Sequence, residues 1–158
     1  MKSYIFLFLL IFSFISCSNE TAIEDDVEIE IDYDLQNEIS IQQYILDNNL
    51  TVEKTDSGLY YSIEEPGTGI MPLPDSFATV TYIMTNLDGT VLDEIDNPGA
   101  NFNLKQVIPG FREGLTLLKE GGSAKLILPS KLAYGDSDLF GIGPGEVLIF
   151  DVQLLKVN

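Results

Sequence analysis

The 158-residue chain contains no histidine, no tryptophan and a single cysteine. Without histidine there is no Ser-His-Asp triad, no imidazole base and no His-ligated metal site. One cysteine excludes an internal disulfide and every Cys-cluster metal site. Basic residues are also scarce, with 8 Lys+Arg against 25 Asp+Glu and a formal charge of −17. Such a balance argues against a nucleic-acid partner, because phosphate binding needs Lys and Arg. Apolar residues make up 45% of the chain, enough for a packed core, and the length suits one folded domain.

Part of that apolar content sits at the start. Tyr4–Ile15 is an almost unbroken apolar run behind Lys2. As a helix it would cover about 18 Å, too short for a hydrocarbon core of about 30 Å. A charged start, a short apolar stretch and then small residues read as a secretory signal over residues 1–16. Ser16-Cys17-Ser18 resembles a bacterial lipobox, which makes Cys17 the expected lipidation site and first mature residue. Two or three acyl chains, palmitate among them, anchor firmly where one does not. The expected location is the cell envelope, lipid-anchored and facing the periplasm or the surface of the outer membrane.

Residues 17–38 carry nine acids and no Lys or Arg. Charge repulsion at that density keeps a segment extended, so the expectation is a solvated tether. A calcium loop is the sharper alternative, but the spaced Asp/Asn-Gly pattern is missing. Residues 39–53 form an expected helix. Ser40 is its N-cap candidate, and Ile41, Tyr44, Ile45 and Leu50 lie on one face, which packs on the domain.

From residue 54 to 158 the pattern changes to strands. Tyr60, Tyr61 and Ile63 mark the first, and Glu65-Pro66-Gly67-Thr68-Gly69 is a turn cluster. Phe77–Thr85 alternates β-branched and aromatic residues, and Asp88-Gly89 reverses the chain into Thr90–Ile95. Asp96-Asn97-Pro98-Gly99 is expected to break that strand before a short one holding Phe102 and Leu104. Phe111–Lys119 reads as a helix with Phe111, Leu115 and Leu118 on one face, stopped by Gly121-Gly122. Ser123–Pro129 and Val147–Val157 complete an α+β domain, an antiparallel five- to six-stranded sheet wrapped around one short helix.

Val80-Thr81-Tyr82, Leu87 to Asp93, Phe102, Val107-Ile108-Pro109-Gly110-Phe111, Leu132-Ala133-Tyr134-Gly135 and Leu148 to Leu155 stand in a fixed order and spacing. In that order they resemble FKBP-type peptidyl-prolyl cis–trans isomerases (rotamases), over roughly residues 54–157. The lipobox makes the chain similar to exported bacterial members, some of which are lipoproteins that assist gliding motility in Bacteroidetes. The resemblance implies a pocket with Phe111 as floor, where many members have Trp. Tyr82, Phe102, Val107, Ile108, Tyr134 and Phe150 would be its walls. It implies Asp93 as a buried acid beside the pocket and Ile142 in the loop over the mouth. The Ile108 backbone N–H and the Tyr134 hydroxyl would donate to the bound peptide. Leu92 stands where the family has Phe, at a substrate-contacting position, and Ala100 replaces a second aromatic. No cofactor is implied. The implied partners are proline-containing segments of exported proteins, whose folding the enzyme would assist. Leu92 and Ala100 also admit a peptide-binding chaperone that isomerises poorly, and the leader admits a structural lipoprotein of an envelope machine.

Such a pocket suits the reaction. A prolyl amide must rotate over a barrier of about 18–20 kcal/mol, which takes tens to hundreds of seconds unaided. Twisting removes resonance and lowers the charge separation of the amide. An apolar site therefore disfavours the planar ground state relative to the twisted one, with no proton transferred. A thousandfold acceleration needs about 4 kcal/mol. Desolvation, aromatic contact with the proline ring and one or two oriented donors are of that order.

Overall fold

The computed structural model describes residues 31–158. The leader, Cys17 and most of the acidic stretch lie outside the described residues.

The first element of the described residues, α1, spans Tyr33–Asp47. It opens well before Ser40, because Asp32 is the cap: its carboxylate accepts the Leu35 N–H at 3.1 Å. Asp34 follows in the first turn. Carboxylates at a helix N-terminus satisfy free N–H groups and complement the dipole. The end of the acidic stretch thus starts the helix instead of extending the tether. The helix closes at Asn48, and Asn49 takes a positive φ of 51°, so residues 49–53 are not helical.

Among the described residues, six strands form one antiparallel sheet: β1 (Glu53–Lys54), β2 (Tyr60–Glu65), β3 (Phe77–Thr85), β4 (Val91–Asn103), β5 (Ser123–Leu128) and β6 (Leu148–Val157). Their spatial order is β1-β2-β5-β6-β3-β4. Alternation sends Leu126 and Leu128 of β5, and Phe150, Val152 and Leu154 of β6, into the main core with the second helix, α2 (Pro109–Leu115). Ile127 and Ile149 turn the other way and join Ile41 of α1 in a second cluster. The sheet is therefore covered on two sides, by α2 over the main core and by α1 over the second cluster.

Two expected boundaries move. Asp96-Asn97-Pro98-Gly99 does not end a strand. Val80 pairs with Ala100 and Tyr82 with Ile95, so residues 96–99 bulge out opposite Thr81 while β4 runs on to Asn103. A bulge needs no ladder bond from Pro98, which has no N–H to give. The helix holding Phe111 is also shorter than Phe111–Lys119. It begins at Pro109 and caps at Thr116. Beyond it Leu117 and Leu118 donate three residues back, to Gly114 and Leu115, so the chain tightens into turns long before Gly121. Leu118 is still fully buried.

Candidate functional site

A cavity of about 330 Å³ opens between β3, β4, the start of α2, the loop after β5 and β6. Its lining contains all eight side chains expected to form one pocket: Tyr82, Asp93, Phe102, Val107, Ile108, Phe111, Tyr134 and Phe150. They come from stretches far apart in sequence. Tyr82 sits on the core side of β3, Phe102 near the end of β4, and Phe150 on β6. Pro109 at the first helical position presets the turn of α2, which seats Phe111 two residues on.

Four rings form the inner surface. Phe111 is only 3% exposed. Its ring centroid lies 4.8 Å from Phe150, 5.6 Å from Tyr82 and 6.5 Å from Phe102. Tyr82 lies 5.5 Å from Phe150 and 6.3 Å from Phe102. Tilted and edge-on contacts at these distances favour aromatic pairs and fix the rings against one another.

The polar groups are few. The Tyr82 hydroxyl donates to Asp93 Oδ2 at 2.5 Å, and Asp93 Oδ1 accepts the Glu94 N–H at 2.9 Å. Asp93 is exposed at the cavity rim, not buried as expected: among the described residues β4 is the edge strand of the sheet, with no strand paired on its outer side. Burial, and then the hydrogen bond to Asp93, hold the Tyr82 hydroxyl well above the ordinary phenol range. Burial and the charge of Asp93 raise Tyr134 likewise. Both hydroxyls therefore stay neutral at any ordinary pH. Among the described residues, neither the Tyr134 hydroxyl nor the Ile108 N–H donates a hydrogen bond to the protein. The Ile108 carbonyl is engaged, accepting from the Arg112 N–H at 3.1 Å. The lining thus combines aromatic surface, two uncommitted donors and one carboxylate already held by a tyrosine.

Two expected contact residues lie elsewhere. The β3–β4 ladder steps from Thr85–Val91 to Met84–Asp93. Leu92 is skipped, packs on the main core and lines no part of the cavity. Ile142 is buried in the main core. It pairs with Leu139 across a two-residue turn, and the turn tip offers Phe140 to the cavity instead. Phe140 is 87% exposed, 6.0 Å from the Tyr134 ring, and has a φ of 57°. A bulky residue in the left-handed region costs about 1–2 kcal/mol. Three lining residues were not anticipated: Met84, Gln106 and Phe140. The period of two along β3 would have found Met84 from Tyr82. An aromatic beside Gly141 in a polar loop was the only sign of Phe140. A second, larger depression of about 520 Å³ has Thr81, Ile83 and the acids Glu64, Glu94, Asp96 and Asp151 around it. It has no cluster of rings.

The arrangement defines a class. The profile of the FKBP-type peptidyl-prolyl cis–trans isomerases matches residues 70–155, and the chain belongs to that family. It is 46% identical over 110 residues to a probable FKBP-type peptidyl-prolyl cis-trans isomerase FkpA of Neisseria meningitidis serogroup B, a match covering 68% of this chain and 40% of that protein. It is 43% identical over 105 residues to the outer membrane protein MIP of Legionella longbeachae, covering 65% of this chain and 45% of that one. The crystal structure of FkpA from Escherichia coli superposes with a TM-score of 0.68 at 37% identity, over 78% of this chain and 60% of that chain. The chain spans less than half the length of the curated relatives it matches.

Proposed function

We propose that the protein is a peptidyl-prolyl cis–trans isomerase that assists the folding of exported proteins from a lipid anchor at Cys17. The observation that carries the catalytic reading is the aromatic cavity with two uncommitted donors and its one carboxylate already held by a tyrosine. Its volume suits a pyrrolidine ring with its flanking peptide. The proline ring lies on Phe111 among the edges of Tyr82, Phe102 and Phe150. The Ile108 N–H and Tyr134 hydroxyl hold the carbonyls on either side of the rotating bond. The apolar walls remove the water that favours the planar, dipolar amide, which stabilises the twisted state relative to it. No proton moves in this scheme.

The test is a protease-coupled prolyl-peptide assay on the full chain. Acceleration of about a thousandfold at saturation corresponds to the 4 kcal/mol asked of the site. Turnover no faster than buffer ends the catalytic reading. Because both tyrosines keep their protons past the usual phenol range, the rate is expected to be flat between about pH 6 and 9. Stability has a definite sign at high pH. The folded state holds protons that the unfolded chain releases near pH 10, so this contribution is intact below about pH 10 and falls as pH rises beyond it. An urea midpoint that rose from pH 9 to pH 11 would contradict this account of the two hydroxyls.

The envelope reading is supported by the leader, by the lipobox-like Ser16-Cys17-Ser18 and by a relative whose name places it in the outer membrane. With Cys17→Ala the protein is expected to leave the membrane fraction or to accumulate as uncleaved precursor. Normal processing and unchanged membrane retention in that variant would argue against lipidation.

A further inference from the structure

Asn37 is a polar residue on the inner face of α1, only 3% exposed. Its side chain does not bond within its own helix. The amide nitrogen donates to the Gly145 carbonyl at 2.8 Å, and Oδ1 accepts the Ser130 N–H at 2.6 Å. Ser130 and Gly145 flank the excursion between β5 and β6 that carries Tyr134 and Phe140. The ring of bonds closes on itself: the Gly135 N–H donates to the Ser130 carbonyl at 2.8 Å, and the Gly145 N–H to the Gly135 carbonyl at 2.8 Å. One side chain from the N-terminal helix thus satisfies a donor at the start of the loop and an acceptor at its end. The Tyr33 ring packs onto Gly145 so closely that a Cβ there would lie 2.0 Å from Cδ1, and Lys131 bonds Asp34 at 3.2 Å. Among the described residues, only the Leu139–Ile142 bridge and a few turn bonds hold the loop tip, and residues 136–141 are all exposed.

We propose that Asn37 is a positioning residue of the candidate active site: it clamps both ends of the 130–145 loop and so holds Tyr134 and Phe140 over the cavity mouth. The proposal rests on the isomerase reading for its kinetic part and on geometry alone for the clamp. It makes α1 a component of substrate binding, although no residue of α1 lines the cavity. A truncation that starts after residue 37 would keep the pocket floor and lose the clamp. The effect belongs on affinity, since the loop meets the outer part of a bound peptide while the floor rings Phe111 and Phe150 are untouched.

The experiment compares the full chain with Asn37→Ala and Asn37→Asp by amide hydrogen exchange without substrate and by steady-state isomerase kinetics. In Asn37→Ala, exchange at Ser130, Gly135 and Gly145 is expected to quicken roughly tenfold, with a KM about fivefold higher and kcat within about twofold of the parent. Asn37→Asp keeps the acceptor for Ser130 but sets a carboxylate against the Gly145 carbonyl. It is expected to protect Ser130 while freeing Gly145. Amides of β3 and β6 report that each variant remains folded and should not change. Unchanged exchange at all three loop amides overturns the clamp. Faster loop exchange with an unaltered KM overturns the positioning role. A parent chain with no turnover would remove the isomerase reading, while loop exchange would still decide the clamp.

Discussion

Phe111→Ala is expected to lower kcat/KM for a prolyl peptide by about a hundredfold and to cost about 3–5 kcal/mol of stability. The two effects share one cause. Phe111 is buried in the main core on one side and forms the cavity floor on the other, in contact range of Phe150, Tyr82 and Phe102. Truncation to a methyl group opens the floor into the core. It removes the surface on which a proline ring would lie and admits water beneath the amide, which again favours the planar ground state. Phe111→Leu separates the effects. It preserves most of the volume, so the fold persists, while the aromatic face is lost. About 1 kcal/mol of ring contact corresponds to a roughly fivefold fall in kcat/KM. The measurement is kcat/KM at a temperature where denaturant melts show both variants folded. A folded Phe111→Leu protein with the parent's kcat/KM would show that the ring contributes volume and nothing more.

The second large effect is structural, at a residue that does not line the cavity. Gly67→Ala is expected to destabilise by about 2–4 kcal/mol, combining the left-handed penalty with overpacking. Gly67 has a φ of +74°, and a Cβ there would lie 2.3 Å from the Lys119 carbonyl oxygen and 2.7 Å from the Gly122 nitrogen. Those are backbone atoms and cannot swing aside. The turn after β2 is stitched to the turn after α2 through Lys119 N–H to Pro66 carbonyl, and through Thr68 and Gly69 N–H groups to the Glu120 carbonyl. Moving Gly67 therefore pulls on the segment that follows Phe111. Urea melts of the two proteins give the difference directly. A midpoint within error of the parent would mean that the two turns are free to separate. Gly89→Ala is the control, since Gly89 also has a positive φ but no atom within 4 Å of its Cβ position. It should show the backbone penalty without the overpacking.

The order of elements in the domain was legible because β-strand alternation and turn chemistry are local signals. Tyr60-Tyr61, Phe77–Thr85 and Leu148–Val157 lie in strands, and Asp88-Gly89 lies in the hairpin turn between β3 and β4. The misplaced boundaries have local causes too. Asp32 competes with Ser40 as a cap and wins, and Asp34 reinforces it, so a stretch of acids that repels as coil becomes favourable as a helix start. Pro98 reads as a strand breaker, yet a bulge removes the need for its missing N–H.

What the sequence determined by itself is the chemistry available: no imidazole, no thiol pair, few cations, and a set of apolar and aromatic residues in the order of one family. These are properties of residue identity and survive in any conformation. What only tertiary structure decided is which side chains share a space. Leu92 and Ile142 stand at positions that the family pattern assigns to the pocket, but a skipped ladder step leaves Leu92 packed against the core and a two-residue turn buries Ile142 within it. Phe140 reaches the mouth instead. The partnership of Asn37 with Ser130 and Gly145 spans about a hundred residues of chain. No periodicity carries such a contact, because it arises only when two elements packed on the same sheet bring an unpaired donor and acceptor within reach of one amide.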